Sequence, residues 1–312
     1  MLTETEALNL VLSRITAGKA ERVPLSQSLG RFASTQVLAS IPLPGFDNSQ
    51  VDGYALRAID STAGTELPVI AEQPAGPDLH HELPPRCALR IFTGAPIPRG
   101  ADAVIMQEDV TRSGDTITIN EAVIEGENIR RLGSDLCTGQ IIVKAGERIG
   151  PAHVGVLASQ GLADIEVASL PAINILSTGD ELIAPGQPLQ PGQLYNSNGL
   201  MLAAMLAQLG IPGASTHHCA DDLAATIRTI NDLARRSDVI ILSGGVSVGD
   251  HDHIKPALNA LGLAPELWRV KVKPGKPFLF VHRTEPRPLY VFGLPGNPVS
   301  AFVTFHLFVK PA

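Results

Sequence analysis

Asp238-Val-Ile-Ile-Leu-Ser-Gly-Gly-Val-Ser-Val-Gly-Asp-His-Asp252 decides how the rest of the chain is read. It opens with aliphatic, largely β-branched residues, too few for a buried helix and suited to a strand covered on both faces. It then turns into Ser243, Gly244, Gly245, Ser247 and Gly249. Glycines let backbone N–H groups crowd around an anion, and serine hydroxyls add donors. Asp250 and Asp252 follow at once. The run itself fits two readings. One is an ordinary strand-to-helix loop. The other is a metal-bridged phosphate site, with amides for the oxygens and carboxylates for the cation.

Working outward, the texture from Ala172 onward alternates strand and helix. Ala172-Ile-Asn-Ile-Leu reads as a strand and Ser177-Thr-Gly-Asp-Glu-Leu182 as the turn after it. Asn198 is placed to cap a helix carrying Leu202, Met205, Leu206 and Leu209. Asp221-Asp-Leu opens another, with Leu223, Ile227, Ile230 and Leu233 on one face. Residues 254–261 read as a helix. Trp268-Arg-Val-Lys-Val-Lys273 alternates as a strand should, which puts Arg269, Lys271 and Lys273 on one face. A last strand over 288–292 leads into Gly293-Leu-Pro-Gly-Asn-Pro298 and a final helix. Such alternation predicts a parallel, doubly wound sheet, and ligands in these sheets bind beyond the carboxyl ends of the strands. The turns 177–181, 243–252 and 293–298 then converge on one edge, bringing Pro295, Gly296 and Asn297 to the glycine loop. Glu181, Asp221, Asp250 and Asp252 supply hard oxygen ligands for Mg²⁺, and Lys271, Lys273 and Lys276 supply point charges for phosphate. Individually, each acid also reads as a helix N-terminal residue favoured by the dipole.

The first half is different. Thr3 and Glu6 form a capping box for an amphipathic helix over 3–17, and a second short helix follows around 25–30. Residues 41–55 are proline-stiffened and carry Asp47, Asn48, Ser49 and Asp52 before a glycine and an aromatic. They read either as a hinge or as a polar cluster on a rigid turn. Residues 66–150 look β-rich, with short apolar pieces at 67–70, 88–91, 103–106, 116–119 and 141–143. Arg130 and Arg131 precede Asp135 across a glycine turn; they are either solvated or placed for an anion. Pro151 starts a helix through about Ser159.

At 312 residues the chain is long enough for two or three domains. A net charge of −7 with no long basic run argues against duplex nucleic acid as a partner. No stretch has the length of a membrane span. The acidic N-terminus argues against a secretory signal. Cys87, Cys137 and Cys219 are odd in number and lack zinc spacing, which suits reduced thiols in the cytoplasm.

Seven stretches, in order along nearly the whole chain, resemble one family. They are Pro44-Gly-Phe-Asp-Asn-Ser-x-x-Asp-Gly-Tyr-Ala55, Arg90-Ile-Phe-Thr-Gly-Ala-Pro96, Gly100-Ala-Asp-Ala-Val-Ile105, Ser177-Thr-Gly-Asp-Glu-Leu182, Ser243-Gly-Gly-Val-Ser-Val-Gly-Asp250, Lys273-Pro-Gly-Lys-Pro277 and Gly293-Leu-Pro-Gly-Asn-Pro-Val-Ser-Ala301. The family is that of the molybdopterin molybdenumtransferases, MoeA of bacteria and the E domain of gephyrin. The resemblance implies an α/β and β multidomain protein. Residues 1–45 and 138–168 would form a discontinuous helical and linker domain I used in dimerisation, and 46–137 a β-rich inserted domain II. Residues 169–312 would form domain III, a molybdopterin-binding α/β/α unit with a mostly parallel sheet. The family's C-terminal β domain, domain IV, is expected to be absent from a chain that stops at Ala312.

The same resemblance implies an activity. Adenylylated molybdopterin and molybdate give molybdenum cofactor and AMP, with Mg²⁺. By motif, functional positions fall on Asp52, Thr93, Arg130, Asp135, Glu181, Asp221, Asp252, Arg269 and Lys273. Arg269 stands where bacterial members often carry lysine, so the charge is kept on a planar, forked group. A homodimer with a composite active site is implied, with molybdenum enzymes or an adenylyltransferase as further partners. Two other classes compete. One is a molybdopterin adenylyltransferase, which needs no counterpart of residues 46–137. The other is a non-catalytic, gephyrin-like scaffold.

Overall fold

Val239–Ser243 is the strand that the aliphatic run predicts, and it lies inside a six-stranded sheet. The computed structural model describes residues 1–246 and 252–312. These fall into two compact units, residues 1–34 with 164–312 and residues 35–163.

In the first unit the strands run across the sheet in the order Ser215–Cys219, Ile173–Thr178, Val239–Ser243, Leu289–Leu294, Leu279–Arg283 and Leu267–Trp268. The first four are mutually parallel, as expected. The last two are antiparallel. The link over 284–288 is too short for a crossover helix, so Leu279–Arg283 and Leu289–Leu294 can pair only as a hairpin.

Both faces of this sheet are covered, because side chains along a strand alternate. Ile175, Ile241 and Phe292 join the core made with Ala7, Val11, Leu202, Met205 and Phe305. Leu176, Ile240, Leu242 and Val291 join the other, with Ile230, Leu233, Ile254 and Leu258. On the first face Phe278 and Phe308 stack with ring centroids 4.3 Å apart. Ala7 and Val11 belong to the first helix, Glu4–Arg14. The Glu6 N–H donates to Thr3 Oγ1 and the Thr3 N–H to Glu6 Oε2, which completes the capping box. The helix stops short of the expected end at residue 17, since the Thr16 N–H donates to the Tyr290 hydroxyl at 3.1 Å instead of continuing the ladder. The short helix expected around 25–30 is a 3₁₀ turn, Leu25–Gln27.

Two local expectations change. The alternation over 268–273 is broken at Arg269, whose φ is +70°. Leu267–Trp268 stays in the large sheet, while Val270–Lys271 pairs in parallel with Leu2–Thr3. Arg269, Lys271 and Lys273 therefore do not share one face of a strand. Asn198 does not cap its helix. Ser197–Gln208 is capped by Asn196, whose Oδ1 accepts the Gly199 N–H at 3.2 Å.

The second unit is the β-rich part, with the strand order Ala103–Met106, Gly53–Leu56, Ala88–Ile91, Glu66–Gln73, Thr116–Ile119 and Val110–Ser113. The stretch 41–55 is thus more than a turn. Asn48–Ser49 pairs with Ile129–Arg130, and Gly53–Leu56 is a fully buried strand between two neighbours. Its four residues include no β-branched side chain, so propensity hides it and only the tertiary neighbours reveal it. Pro151–Ser159 is a helix with proline in its first turn, as expected. Among the described residues no helix is long and apolar enough to cross a membrane.

Gly53 is the tightest point of this sheet, since a Cβ there would overlap the Ile105 carbonyl. Gly53→Ala is expected to destabilise the 35–163 unit by about 3 kcal/mol or more. Urea unfolding followed by proteolysis of this unit checks it, and an unchanged midpoint refutes the packing argument.

Candidate active site

Strand register builds the site. Ser177 lies opposite Ser243, and Ser243 opposite Leu294. Three parallel strands therefore end at one level, and their turns, Gly179, Gly244–Gly245 and Pro295–Gly296, line a cleft of about 610 Å³. Gly244 and Gly245 have φ of +89° and +61°. A Cβ on Gly245 would fall 2.8 Å from Thr178 Oγ1 and 2.9 Å from Ile254 Cγ1, so the turn can pass only as glycine. The Gly244 N–H donates to the Leu294 carbonyl at 3.2 Å, and both glycines line the cleft.

Asn198, displaced from the expected cap, ties these turns together. Its Nδ2 donates to Ser243 Oγ at 2.9 Å and to the Gly296 carbonyl at 2.8 Å. Its own Oδ1 is buried with no partner among the described residues. Thr178 Oγ1 and Asp252 Oδ2 are in the same state, and all three residues line the cleft. A buried polar atom left unpaired costs about 1–3 kcal/mol. Three of them at one cleft mark a place shaped for a polar ligand.

The acids sort themselves by environment. Asp222 is the cap of Leu223–Ala234, accepting the Ala225 N–H at 2.7 Å. Asp221 stands just outside that helix and faces the cleft, as do Glu181 and Asp252. Burial pushes the Asp252 carboxyl up to about 6, and the nearby Asp221 charge adds to the rise. Backbone donation from Ile254 at 3.2 Å only partly opposes this. Ser247 and Asp250, both expected at the site, lie outside the described residues. Among the described residues no three acidic, histidine or cysteine side chains meet as a metal-holding group. The three cysteines are free thiols.

The basic residues are placed differently from the expectation. Lys273, Lys276 and Arg269 do not line the cleft; their loop reaches it through Pro277. A Cβ on Gly275 would fall 2.5 Å from Thr304 Cγ2, so the loop packs on the helix Pro298–Thr304.

In the second unit a separate polar group assembles. Asp52 Oδ1 accepts both the backbone N–H and the hydroxyl of Thr93 at 2.8 Å, which holds this exposed carboxyl below the usual range. Arg130 pairs with Asp135. Arg131 pairs with Asp47 at 2.6 Å. The Thr93–Ala95 turn bonds to Ser49, and the Asn48–Ser49 strand pairs with Ile129–Arg130, so these groups share one neighbourhood.

The residues missed from sequence are Thr178, Asn196 and the clamping role of Asn198. The repeated asparagine in Asn196-Ser-Asn198 was the available signal, because one asparagine suffices for a cap. A consequence concerns Asp252. Its carboxyl is held protonated in the fold up to about pH 6, whereas the unfolded chain releases that proton near 3.8. The resulting instability is absent below pH 3.8, grows as pH rises to about 6, and is complete above it. Asp252→Asn is thus expected to stabilise the protein by roughly 1–2 kcal/mol at pH 7.5, allowing for solvent screening. The gain should shrink toward pH 4. Denaturant unfolding in EDTA across this pH range checks it.

Residues 2–161 match the family model for the MoeA N-terminal region (domain I and II), and residues 174–312 match that for a probable molybdopterin binding domain. The chain is 37% identical to a molybdopterin molybdenumtransferase of Haemophilus influenzae, over 100% of this chain and 76% of that protein. It is also 37% identical to molybdopterin molybdenumtransferase 2 of Mycobacterium tuberculosis, over 100% and 78% of the two chains. A crystal structure of a molybdopterin biosynthesis MoeA protein from Pyrococcus horikoshii superposes with a TM-score of 0.82 at 32% identity, covering 100% of this chain and 78% of that one. Full-length similarity of this order, with both domain types in sequence order, means that the chain belongs to the molybdopterin molybdenumtransferase (MoeA) family.

Proposed function

We propose that the cleft binds adenylylated molybdopterin and that the protein inserts molybdenum from molybdate into it, releasing AMP as the last step of molybdenum cofactor synthesis. The observation that carries this reading is the set of glycine turns at the in-register strand ends, together with buried polar atoms that have no partner among the described residues. The Gly245 backbone and the Ser243 hydroxyl receive the phosphate end, Thr178 and Asn198 offer hydrogen bonds, and the rigid turns hold the pyrophosphate linkage in place. The adenylyltransferase alternative is not favoured, because similarity to the family extends through residues 2–161.

The donor set fits Mg²⁺. This ion prefers oxygen ligands and is commonly held by one or two carboxylates plus substrate phosphate. Asp221 and Asp252 lie close enough for one charge to raise the pKa of the other, and Asp252 Oδ2 has no partner among the described residues. In this proposal they hold the cation, with Glu181 beside them and Asp250 as a further ligand. The cation offsets pyrophosphate charge and polarises phosphorus when bound. Lys273, Lys276 and Arg269 belong to the proposal as flanking charges that attract the anionic substrate.

Release of AMP from adenylylated molybdopterin tests the reading. Release should require both Mg²⁺ and molybdate, and Glu181→Gln should lower it by about 10²-fold. Product formation that needed ATP and ignored molybdate would overturn it.

The proposal extends to a cytoplasmic homodimer in which 1–45 with 138–168, 46–137 and 169–312 are the working parts. Asp52, Thr93, Arg130 and Asp135 of one subunit then complete the cleft of the other, giving two equivalent sites. Asp52→Ala and Glu181→Ala subunits, each inactive, would pair at random into about half heterodimers, each with one intact site. Mixing should restore about a quarter of wild-type AMP release. No recovery despite demonstrated subunit exchange rules out the shared site.

A further inference from the structure

At the opposite edge of the large sheet lies a second cavity, of about 250 Å³, lined by Asn231, Ala234, Arg235, Arg283, Pro286 and Arg287. It shares no residue with the cleft. Val239 begins the strand whose other end, Ser243, reaches the cleft, and Arg283 pairs with Leu289 at the start of its neighbour. The two sites are therefore separated by at least the strand length, roughly 13 Å.

The charge balance here is unusual for a protein of net charge −7. Three guanidinium groups line the cavity, and the carboxylate bonded to them is that of Asp238, through Arg287 at 2.7 Å. The second oxygen of Asp238 is already taken by the Ala172 N–H at 2.8 Å. Asp238 thus has little left to offer the other two arginines. Arg283 makes only long contacts, to the Ala234 and Arg287 carbonyls at 3.4 Å. Arg287 also reaches the Arg235 carbonyl at 3.3 Å. The Arg235 guanidinium has no hydrogen-bond or ion-pair partner among the described residues. Neither Asp232 nor Glu285, the acids nearest in sequence, lines the cavity.

Main-chain carbonyls at the end of Leu223–Ala234 thereby orient the forks of Arg283 and Arg287. Arg287 is also paired with Asp238, and Arg283 has no carboxylate partner among the described residues. Guanidinium forks match the oxygens of a tetrahedral oxyanion, and pre-positioned ones lose little entropy on binding. The volume equals roughly eight waters at ~30 Å³ each, enough for a phosphate group and its hydration. We infer that Arg235, Arg283 and Arg287 form a second binding site, one that takes a phosphoryl dianion at the sheet edge away from the cleft. The inference does not rest on the reading of the cleft.

Titration of inorganic phosphate and of ribose 5-phosphate, followed by ³¹P NMR at pH 8 and constant ionic strength, tests it. The wild-type protein should bind saturably. Arg283→Gln and Arg235→Gln should each weaken binding about tenfold or more while leaving the near-UV circular dichroism unchanged. Arg235→Gln removes no hydrogen bond or ion pair of its side chain among the described residues, so it reports on the ligand even if Arg283→Gln disturbs the fold. Tighter phosphate points to the free ion, and tighter ribose 5-phosphate to the end of a phosphate ester; both support the site. Absence of saturable binding in the wild-type protein, or unchanged affinity in either folded variant, overturns it.

Discussion

The hydrogen-bond ladder joining Ile173–Thr178, Val239–Ser243 and Leu289–Leu294 sets everything that happens at the cleft. Each strand is covered on both faces, so a slip of one residue would exchange Ile240 and Leu242 with Ile241 between two different cores. That penalty locks the register. Because it is locked, the strand ends finish together and deliver their turns to a common place. Asn198 and local bonds such as Gly244 N–H to the Leu294 carbonyl and the His218 ring to the Gly179 carbonyl hold the turns where they line the cleft.

The same arrangement explains why the cleft is the least satisfied part of the fold. Asn198 spends both N–H groups on neighbouring turns, and its oxygen has no partner among the described residues. Asp252 is half-buried beside another acid, and burial pushes its carboxyl up to about 6. These features cost stability in the empty protein and are what a polar, charge-bearing substrate relieves. Cores elsewhere in the same unit are apolar and tightly packed, so they can carry that cost. Locally unfavourable groups supported by a rigid frame are a recurrent feature of functional sites.

The two arginine-bearing regions show how one chemistry serves different ends. Arg130 and Arg131 are paired with Asp135 and Asp47, and so are held in defined directions within the second unit. Arg235 and Arg283 have no such carboxylate among the described residues, although Asp238 is close by and engaged with Arg287. Counting charges along the sequence does not separate these cases. Only the pairing geometry tells which positive groups remain available to a ligand.

Local signals determined a good deal. The capping box at Thr3 and Glu6, the proline-led helix at 151–159 and the strand–glycine run at 239–245 were all legible, because each depends on contacts within a few residues. The motifs also gave the family, and the turns of three of them, at 177–182, 243–246 and 293–298, meet at one cleft. Tertiary structure decided the rest. It made Gly53–Leu56 a buried strand, since sheet neighbours on both sides override a weak local preference. It broke the apparent strand at Arg269, because two different sheets claim the residues on either side. It turned Asn198 from a cap into a clamp, since its partners, Ser243 and Gly296, arrive from distant parts of the chain. It also kept the lysines of 273–276 off the cleft wall, because Gly275 must pack against Thr304. In each case the deciding partner is remote in sequence, and local periodicity carries no record of it.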